Sequence, residues 1–303
     1  MAQDIKPVAV VRTVQALRER VHGWRDAGFT VGLVPTMGAL HDGHLSLVDR
    51  IRHDAGRVVV SIFVNPKQFG PSEDFQQYPR DEAADLERLA AAGVDLVFAP
   101  ALAEVYPPGF GTRVIVTGVT RDMEGAHRPD FFEGVATVVT KLLTQCQPDV
   151  AIFGEKDYQQ LVTIRRLVRD LDLPVRILAG PLIREPDGLA AASRNAYLDT
   201  DQRRTAGQLN VVLAHMVARA EAGEPLADLE RTGRQRLLDA GFDSVDYLTF
   251  RDGETLAPID RLDRPARLLV VARLGGVRLL DNMAVAPGLS PGRPSTSSGR
   301  TLS

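Results

Sequence analysis

Val31–Val48, VGLVPTMGALHDGHLSLV, is the stretch whose reading decides the fold. The apolar run Val31–Val34 predicts a buried strand, which Pro35 ends because proline has no N–H to give a sheet ladder. Thr36, Met37, Gly38, Ala39 and Leu40 make a turn, and His41-Asp42-Gly43-His44 leads into Leu47, Val48 and Ile51 at helical spacing. Asp42 is the expected N-cap, with His44 in the first helical turn and His41 just outside it. Free N–H groups and the positive end of the dipole make such a helix start an anion site. Two histidines add donors at its mouth. The pattern suits a triphosphate.

Working outward, the same alternation recurs. Thr13 caps a helix carrying Val14, Leu17, Val21 and Trp24 on one face and ending near Ala27–Gly28, with Trp24 read as core. Val58–Val64 is a β-branched run suited to a parallel strand covered on both faces, and the loop Asn65-Pro66-Lys67-Gln68-Phe69 leaves its carboxyl end. A helix over Arg80–Ala92 is followed by short strands at Leu96–Phe98 and Arg113–Thr117, with a loop at Tyr106–Gly109 between them. The segment 122–134, with Arg128-Pro129, has no period and reads as a lid. A helix over 134–147, a strand over 149–153 and a helix through Leu161, Ile164, Val168 and Leu171 complete the pattern.

Strand–helix alternation to Ile183 defines an α/β fold with a Rossmann-type, doubly wound parallel sheet. In such sheets ligands sit at the carboxyl ends of the strands, where the strand order reverses. The histidine loop, the Asn65–Gln68 loop and the Gly154-Glu155-Lys156-Asp157 loop all open on that edge. Beyond Asp187-Gly188 come two helices (201–222 and 226–240) and three strands, with Gly275-Gly276 as a hairpin turn. This reads as a second, smaller α+β domain. The expected division is 1–186, 187–286 and a Pro/Gly/Ser-rich, disordered tail over 287–303.

Composition narrows the function. The 303 residues carry a net charge of −3, which argues against a general nucleic-acid binder. No apolar run reaches the ~18 residues of a membrane span, and the N-terminus lacks a signal-peptide core. The single cysteine, Cys146, lies in an apolar helical pattern where a buried, inert thiol is expected. A cytoplasmic enzyme fits these features. Neither a P-loop string nor a dinucleotide fingerprint is present.

Lys156 would bring a compact cation to phosphate at a helix start, with Gln160 at the same mouth. The same residues also read as helix punctuation, because Asp157 and Gln160 have capping-box spacing. Gln68 stands alone in its loop, where an unbound surface glutamine is the simpler reading.

PTMGALHDGH, SIFVNPKQF, YPRD, FGEKDYQQL and SRNAYL together resemble the pantothenate synthetase family of the HxGH nucleotidyltransferases, in that family's order and spacing from Val31 to Asn282. The resemblance implies a homodimer that joins pantoate to β-alanine using ATP and Mg2+, through a pantoyl adenylate, with release of AMP and pyrophosphate. It places Met37, Gly38, Ala39, Leu40, His41, Asp42, Gly43 and His44 around ATP. Gly154, Glu155, Lys156, Asp157, Ile183, Ala191, Ala192, Ser193 and Arg194 join them there. It makes Gln68 and Gln160 pantoate-binding, with Gln68 also at the β-alanine entry. It gives His44, His41, Lys156 and Arg194 the catalytic roles. Arg128 falls near the acyl site, and Asp85 is a weak candidate for the metal.

One position departs from the family. Ala192 stands where a first serine usually precedes Ser193-Arg194-Asn195, so a phosphate-facing hydroxyl is missing. Two rivals follow: a related enzyme that stops at nucleotidyl transfer, and a non-catalytic nucleotide binder. The pair Gln68 and Gln160 speaks against the first. Intact His41, His44, Lys156 and Arg194 speak against the second.

Overall fold

The structure, a computed structural model, describes residues 7–70 and 75–287. The tail expected to be disordered lies outside the described residues except at its first position. Strands β1 (Ala9–Val11), β2 (Val31–Thr36), β3 (Arg57–Ile62), β4 (Leu96–Phe98), β5 (Val150–Gly154) and β6 (Arg176–Gly180) form a six-stranded sheet in the order β1-β4-β3-β2-β5-β6. Every pairing in it is parallel. From β2 the chain winds outward through β3 to β4, then crosses to the other side of β2 for β5 and β6. The order therefore reverses between β2 and β5, and their carboxyl ends open a crevice there.

Alternate residues of each strand feed opposite faces, which is why the central runs are apolar without a break. On one face Leu33, Val59 and Ala151 pack with Leu17 and Val21 of α1 (Val14–Asp26), Val139 and Leu142 of α6 (Phe131–Cys146), and Leu161 and Ile164 of α7 (Tyr158–Asp170). On the other, Val34, Val58, Val60 and Ile152 pack with Leu47, Val48 and Ile51 of α2 (Asp42–Ile51) and Leu89 of α3 (Glu82–Ala91). Trp24 is partly buried at the rim of the first core, as expected. Cys146 is buried in it, and burial pushes its thiol up to about 12, so it stays protonated and inert.

Two short helices, α4 (Leu102–Val105) and α5 (Glu124–His127), follow β4. Helices α8 (Thr200–Glu221) and α9 (Leu226–Asp239) cover one face of an antiparallel sheet, β7 (Ser244–Asp252), β8 (Ala266–Leu274) and β9 (Val277–Val285). The central strand β8 is buried on both faces, Leu268 and Val270 against the helices and Leu269 and Val271 against Met123 and Val162. Gly275 and Gly276 turn the β8–β9 hairpin with φ of 57° and 82°, the positive pair a two-residue hairpin turn demands.

Two expectations fail. Pro35 lies inside β2 rather than ending it: Val31 and Leu33 face β5, whose pairing stops at Leu33, so Pro35's missing N–H points where no ladder remains. Arg113–Thr117 has no regular secondary structure and pairs with no strand among the described residues; its Val114 N–H donates to the Thr137 hydroxyl. The segment 122–134, read as a lid, contains α5 and borders the cleft, and buried Gln159 holds its start, with Nε2 donating to the Val119 and Asp122 carbonyls at 2.8 and 2.9 Å.

Candidate active site

The start of α2 is built differently from the expected Asp42 cap. His41 is the N-cap, with extended φ of −135°, and its Nδ1 accepts the Gly43 N–H at 3.1 Å. His44 Nδ1 in turn accepts the His41 N–H at 3.3 Å. Asp42 is exposed because two imidazoles do the work of a capping box. A ring nitrogen that accepts is unprotonated, so each neutral ring carries its proton on Nε2. The anion-binding capacity of two backbone N–H groups is thus passed on to two Nε2–H donors, on rings 4.1 Å apart.

Both rings are held neutral. Burial, then His41 and Lys156, lowers His44 to about 3; burial and Lys156 lower His41. The unfolded chain binds protons near pH 6.5 that the folded His44 refuses, so stability present above 6.5 is lost as pH falls toward 3. The loss approaches about 1.4 kcal/mol per pH unit for a single such group. Urea unfolding at pH 7 and pH 4.5 is expected to show a shallower acid loss for His44→Gln than for the unsubstituted chain; equal slopes would refute a neutral His44.

Ahead of the histidines, Gly38 and Ala39 adopt positive φ of 80° and 50°. The Ala39 and Leu40 N–H groups both donate to the Asp85 carboxylate, at 2.9 and 2.8 Å. Gly38, Ala39 and Leu40 therefore shape the crevice from behind. Among the described residues no group of three or more His, Cys, Asp or Glu side chains is placed to hold a metal.

After β5, residues Glu155–Asp157 form a 3-10 turn into α7. Asp157 makes no side-chain cap bond, so the capping box that its spacing with Gln160 allowed is not formed. The turn is gripped from the antiparallel sheet. Asn282 Nδ2 donates to the Glu155 and Lys156 carbonyls at 2.9 and 2.8 Å. Arg267 donates to Asn282 Oδ1 at 2.6 Å and to the Glu155 carboxylate at 2.9 Å, and lies 4.1 Å over the Tyr158 ring. Glu155 is spent on this contact, while the Lys156 ammonium is 3.8 Å from Asp157.

Gln68 sits in the 3-10 turn Pro66–Gln68 after β3. Fully buried Asn65 orients it. Asn65 Oδ1 accepts from the Lys67 N–H and the Tyr106 hydroxyl, and its Nδ2 donates to Gln68 Oε1 at 3.0 Å and to the Gly134 carbonyl. Gly134 is required, because a Cβ there would lie 2.0 Å from the Lys67 carbonyl oxygen. With Gln68 Oε1 occupied, its amide N–H groups remain for the cleft. Arg128 donates to the Gln68 carbonyl at 2.9 Å. Asn65 was missed as a functional position, although an Asn-Pro pair at a strand's carboxyl end is a readable turn signal.

The third segment closes the site. Ser193–Tyr197 is a 3-10 turn whose N-cap, Ala192, has no side chain to cap it. Ser193 donates its hydroxyl to the Ala39 carbonyl at 3.1 Å, so it clasps the histidine loop. A serine at position 192 would give this turn the side-chain cap that alanine lacks. Ala192→Ser should stabilise the chain by about 0.5–2 kcal/mol and leave turnover nearly unchanged, checked by urea unfolding with steady-state rates. A large gain in turnover would show instead that the absent hydroxyl belonged on substrate.

One cleft of about 780 Å³ is lined by Met37, His41, Gly43, His44, Gln68, Arg128, Gly154, Lys156, Asp157, Gln160, Ile183, Ala191, Ala192, Ser193 and Arg194. Gly38, Ala39, Leu40, Asp42 and Glu155 are not on its wall. A doubly wound sheet whose switch-point crevice carries neutral imidazole donors, a lysine and an arginine defines an α/β protein equipped for an anionic ligand.

The profile of the pantoate–β-alanine ligase family matches residues 9–284. The pantothenate synthetase of Paramagnetospirillum magneticum is 58% identical over 280 residues, covering 92% of this chain and 99% of the relative. The crystal structure of pantothenate synthetase from Thermus thermophilus superposes with a TM-score of 0.86 at 46% identity, over 92% of this chain and 100% of that one. That of pantoate–β-alanine ligase from Francisella tularensis, complexed with beta-gamma ATP and β-alanine, gives 0.75 at 31% identity over 91% and 97%. The chain belongs to the pantoate–β-alanine ligase family, the ligases that form pantothenate.

Proposed function

We propose that the chain condenses pantoate with β-alanine in two steps, through an enzyme-bound pantoyl adenylate. The observation that carries this reading is the convergence of His41, His44, Lys156, Arg194, Gln68 and Gln160 on one cleft at the switch point. The ATP complex of the Francisella relative supports ATP as substrate. In the first step a pantoate carboxylate oxygen attacks the α-phosphorus; the α–β bridging P–O bond breaks and pyrophosphate leaves with the electron pair. In the second the β-alanine amine attacks the acyl carbon, AMP departs, and the amine gives up a proton.

Two anions must meet in the first step, so catalysis is mostly positioning and neutralisation. The Nε2–H groups of His41 and His44, with Lys156 and Arg194, receive the negative charge that builds on the leaving pyrophosphate. Met37, His41, Gly43, His44, Gly154, Lys156, Asp157, Ile183 and residues 191–194 border ATP, while Gly38, Ala39, Leu40, Asp42 and Glu155, expected there, support the wall from behind or lie off it. Gln68, held by Asn65, and Gln160 take pantoate, and Gln68 also borders the β-alanine entry. Mg2+ would enter bound to the triphosphate, and both Asp85 oxygens already accept backbone N–H groups.

The same reading makes the protein a cytoplasmic homodimer, divided near residue 186. No helix among the described residues is long and apolar enough to cross a membrane. The Arg113–Thr117 segment, which pairs with no strand among the described residues and exposes Ile115, is a surface suited to a second copy.

The test is isotope exchange between pyrophosphate and ATP. It is expected to require pantoate and to proceed without β-alanine. Exchange supported by β-alanine alone would overturn the assignment of substrates to steps, and a nucleotidyl product without pantothenate would favour an enzyme that stops at transfer.

A further inference from the structure

Ala39 has a backbone that its side chain disfavours. A non-glycine residue takes φ of 50° only where its surroundings enforce it. The enforcing groups come mainly from α3. Asp85 Oδ2 accepts the Ala39 N–H at 2.9 Å and Oδ1 accepts the Leu40 N–H at 2.8 Å. Arg88, one turn along the same helix face, donates to the Leu40 carbonyl at 2.9 Å. The Ser193 hydroxyl takes the Ala39 carbonyl. All four polar backbone groups of Ala39–Leu40 are therefore engaged.

The carboxylate is 4% exposed, and its close approach depends on Gly38, where a Cβ would stand 2.9 Å from Oδ2. The next residue is His41, whose own N–H holds the His44 ring and whose ring holds Gly43. A shift at Leu40 would carry both Nε2–H donors with it. We propose that Asp85, assisted by Arg88, is a positioning residue for the reaction: by fixing the Ala39–Leu40 turn it aims the two imidazoles, touching neither substrate nor metal. Two N–H dipoles point their positive ends at this carboxylate and offset part of the burial that pushes its pKa up. The kinetic part of the inference rests on the adenylating reading given above; the structural part does not.

The experiment compares Asp85→Asn with the unsubstituted enzyme in pantoate-dependent pyrophosphate exchange over a range of Mg2+ concentrations. Imidazole 15N spectra of His41 and His44 are recorded on both. Asparagine keeps one acceptor and turns an NH2 group against a backbone N–H. The exchange rate at saturation should fall about 100-fold, as misplaced reacting groups cost, with KM for ATP and pantoate moving far less. The Mg2+ dependence should be unchanged, and the Nε2–H tautomers seen in the unsubstituted chain should become mixed. Glu82→Gln, an exposed change on the same helix, should match the unsubstituted enzyme in every readout.

Full exchange in Asp85→Asn, a loss repaired by raising Mg2+, or a loss with both tautomers intact would each overturn the proposal. If Asp85→Asn does not fold, Arg88→Met removes only the Leu40 carbonyl contact. It should lower exchange about tenfold with the same tautomer mixing, and unchanged exchange would refute the clamp. An unsubstituted enzyme with no pantoate-dependent exchange would count against the adenylating reading alone, and the tautomer spectra would still decide whether α3 sets the imidazoles.

Discussion

His44→Ala and Lys156→Ala should each lower pantoate-dependent pyrophosphate exchange by on the order of 100- to 1000-fold, or ~3–4 kcal/mol of barrier, the usual effect of losing one preorganised donor to developing charge. Each residue lines the cleft and each is fixed before substrate arrives. His44 is held by the His41 N–H, and the Lys156 backbone by Asn282. The two variants should differ in stability. His44→Ala removes half of the capping box of α2, about 1 kcal/mol or roughly 2–4 °C in Tm. Lys156 has only a 3.8 Å contact with Asp157, so its loss should leave Tm nearly unchanged. Exchange rates and thermal melts on the purified variants decide the matter. A variant that keeps full exchange, or one whose Tm collapses, would make that residue a scaffold position.

The parallel sheet was legible in the sequence because its residues obey one rule. A strand covered on both faces is nearly continuous in apolar residues, and Val31–Val34, Val58–Val64 and 149–153 read that way. The loops that leave those strands were legible for the same reason, since topology alone puts them on one edge. What stayed hidden depends on partners distant in sequence. Ala9–Val11 is too short to declare itself and is a strand only because β4 accepts it. Pro35 belongs to β2 because the β5 ladder stops short of it. Arg113–Thr117 has strand composition and finds no strand partner among the described residues.

The site divides in the same way. His41, His44, Lys156 and Gln160 could be named from local spacing and resemblance. The groups that aim them could not, because Asp85 acts from α3, and Asn282 and Arg267 act from the antiparallel sheet. Even His41 changed its part: spacing alone favoured Asp42 as the cap, but an imidazole can accept at Nδ1 and still present Nε2–H to the cleft. Capping and anion binding are met by one ring.

Glu124→Ala should destabilise the chain by about 3–5 kcal/mol, the range for breaking a buried ion pair from one side. Glu124 is 4% exposed and accepts from both terminal nitrogens of Arg278, at 3.0 and 2.6 Å. It also lies 3.6 Å from Arg128, which donates to the Gln68 carbonyl. Arg278 is on β9, and its Nε is further paired with Asp246 at 2.9 Å. One carboxylate therefore joins the antiparallel sheet to the turn that carries Gln68. Its removal leaves a partly buried guanidinium with half its partners and loosens Arg128, so turnover should fall along with stability. Most of the stability loss is the cost of the charge left behind rather than the worth of the bond. Arg278→Met in the Glu124→Ala background should therefore recover part of it, since Asp246 keeps Arg273 at 2.9 Å. Urea unfolding of the two single variants and the double variant measures this. A Glu124→Ala loss below about 1 kcal/mol, in the range of a surface pair, would show that the pair is solvated in solution. A double variant as unstable as the sum of the singles would show that the residues act independently and that Glu124 does not fasten the sheet to the Gln68 turn.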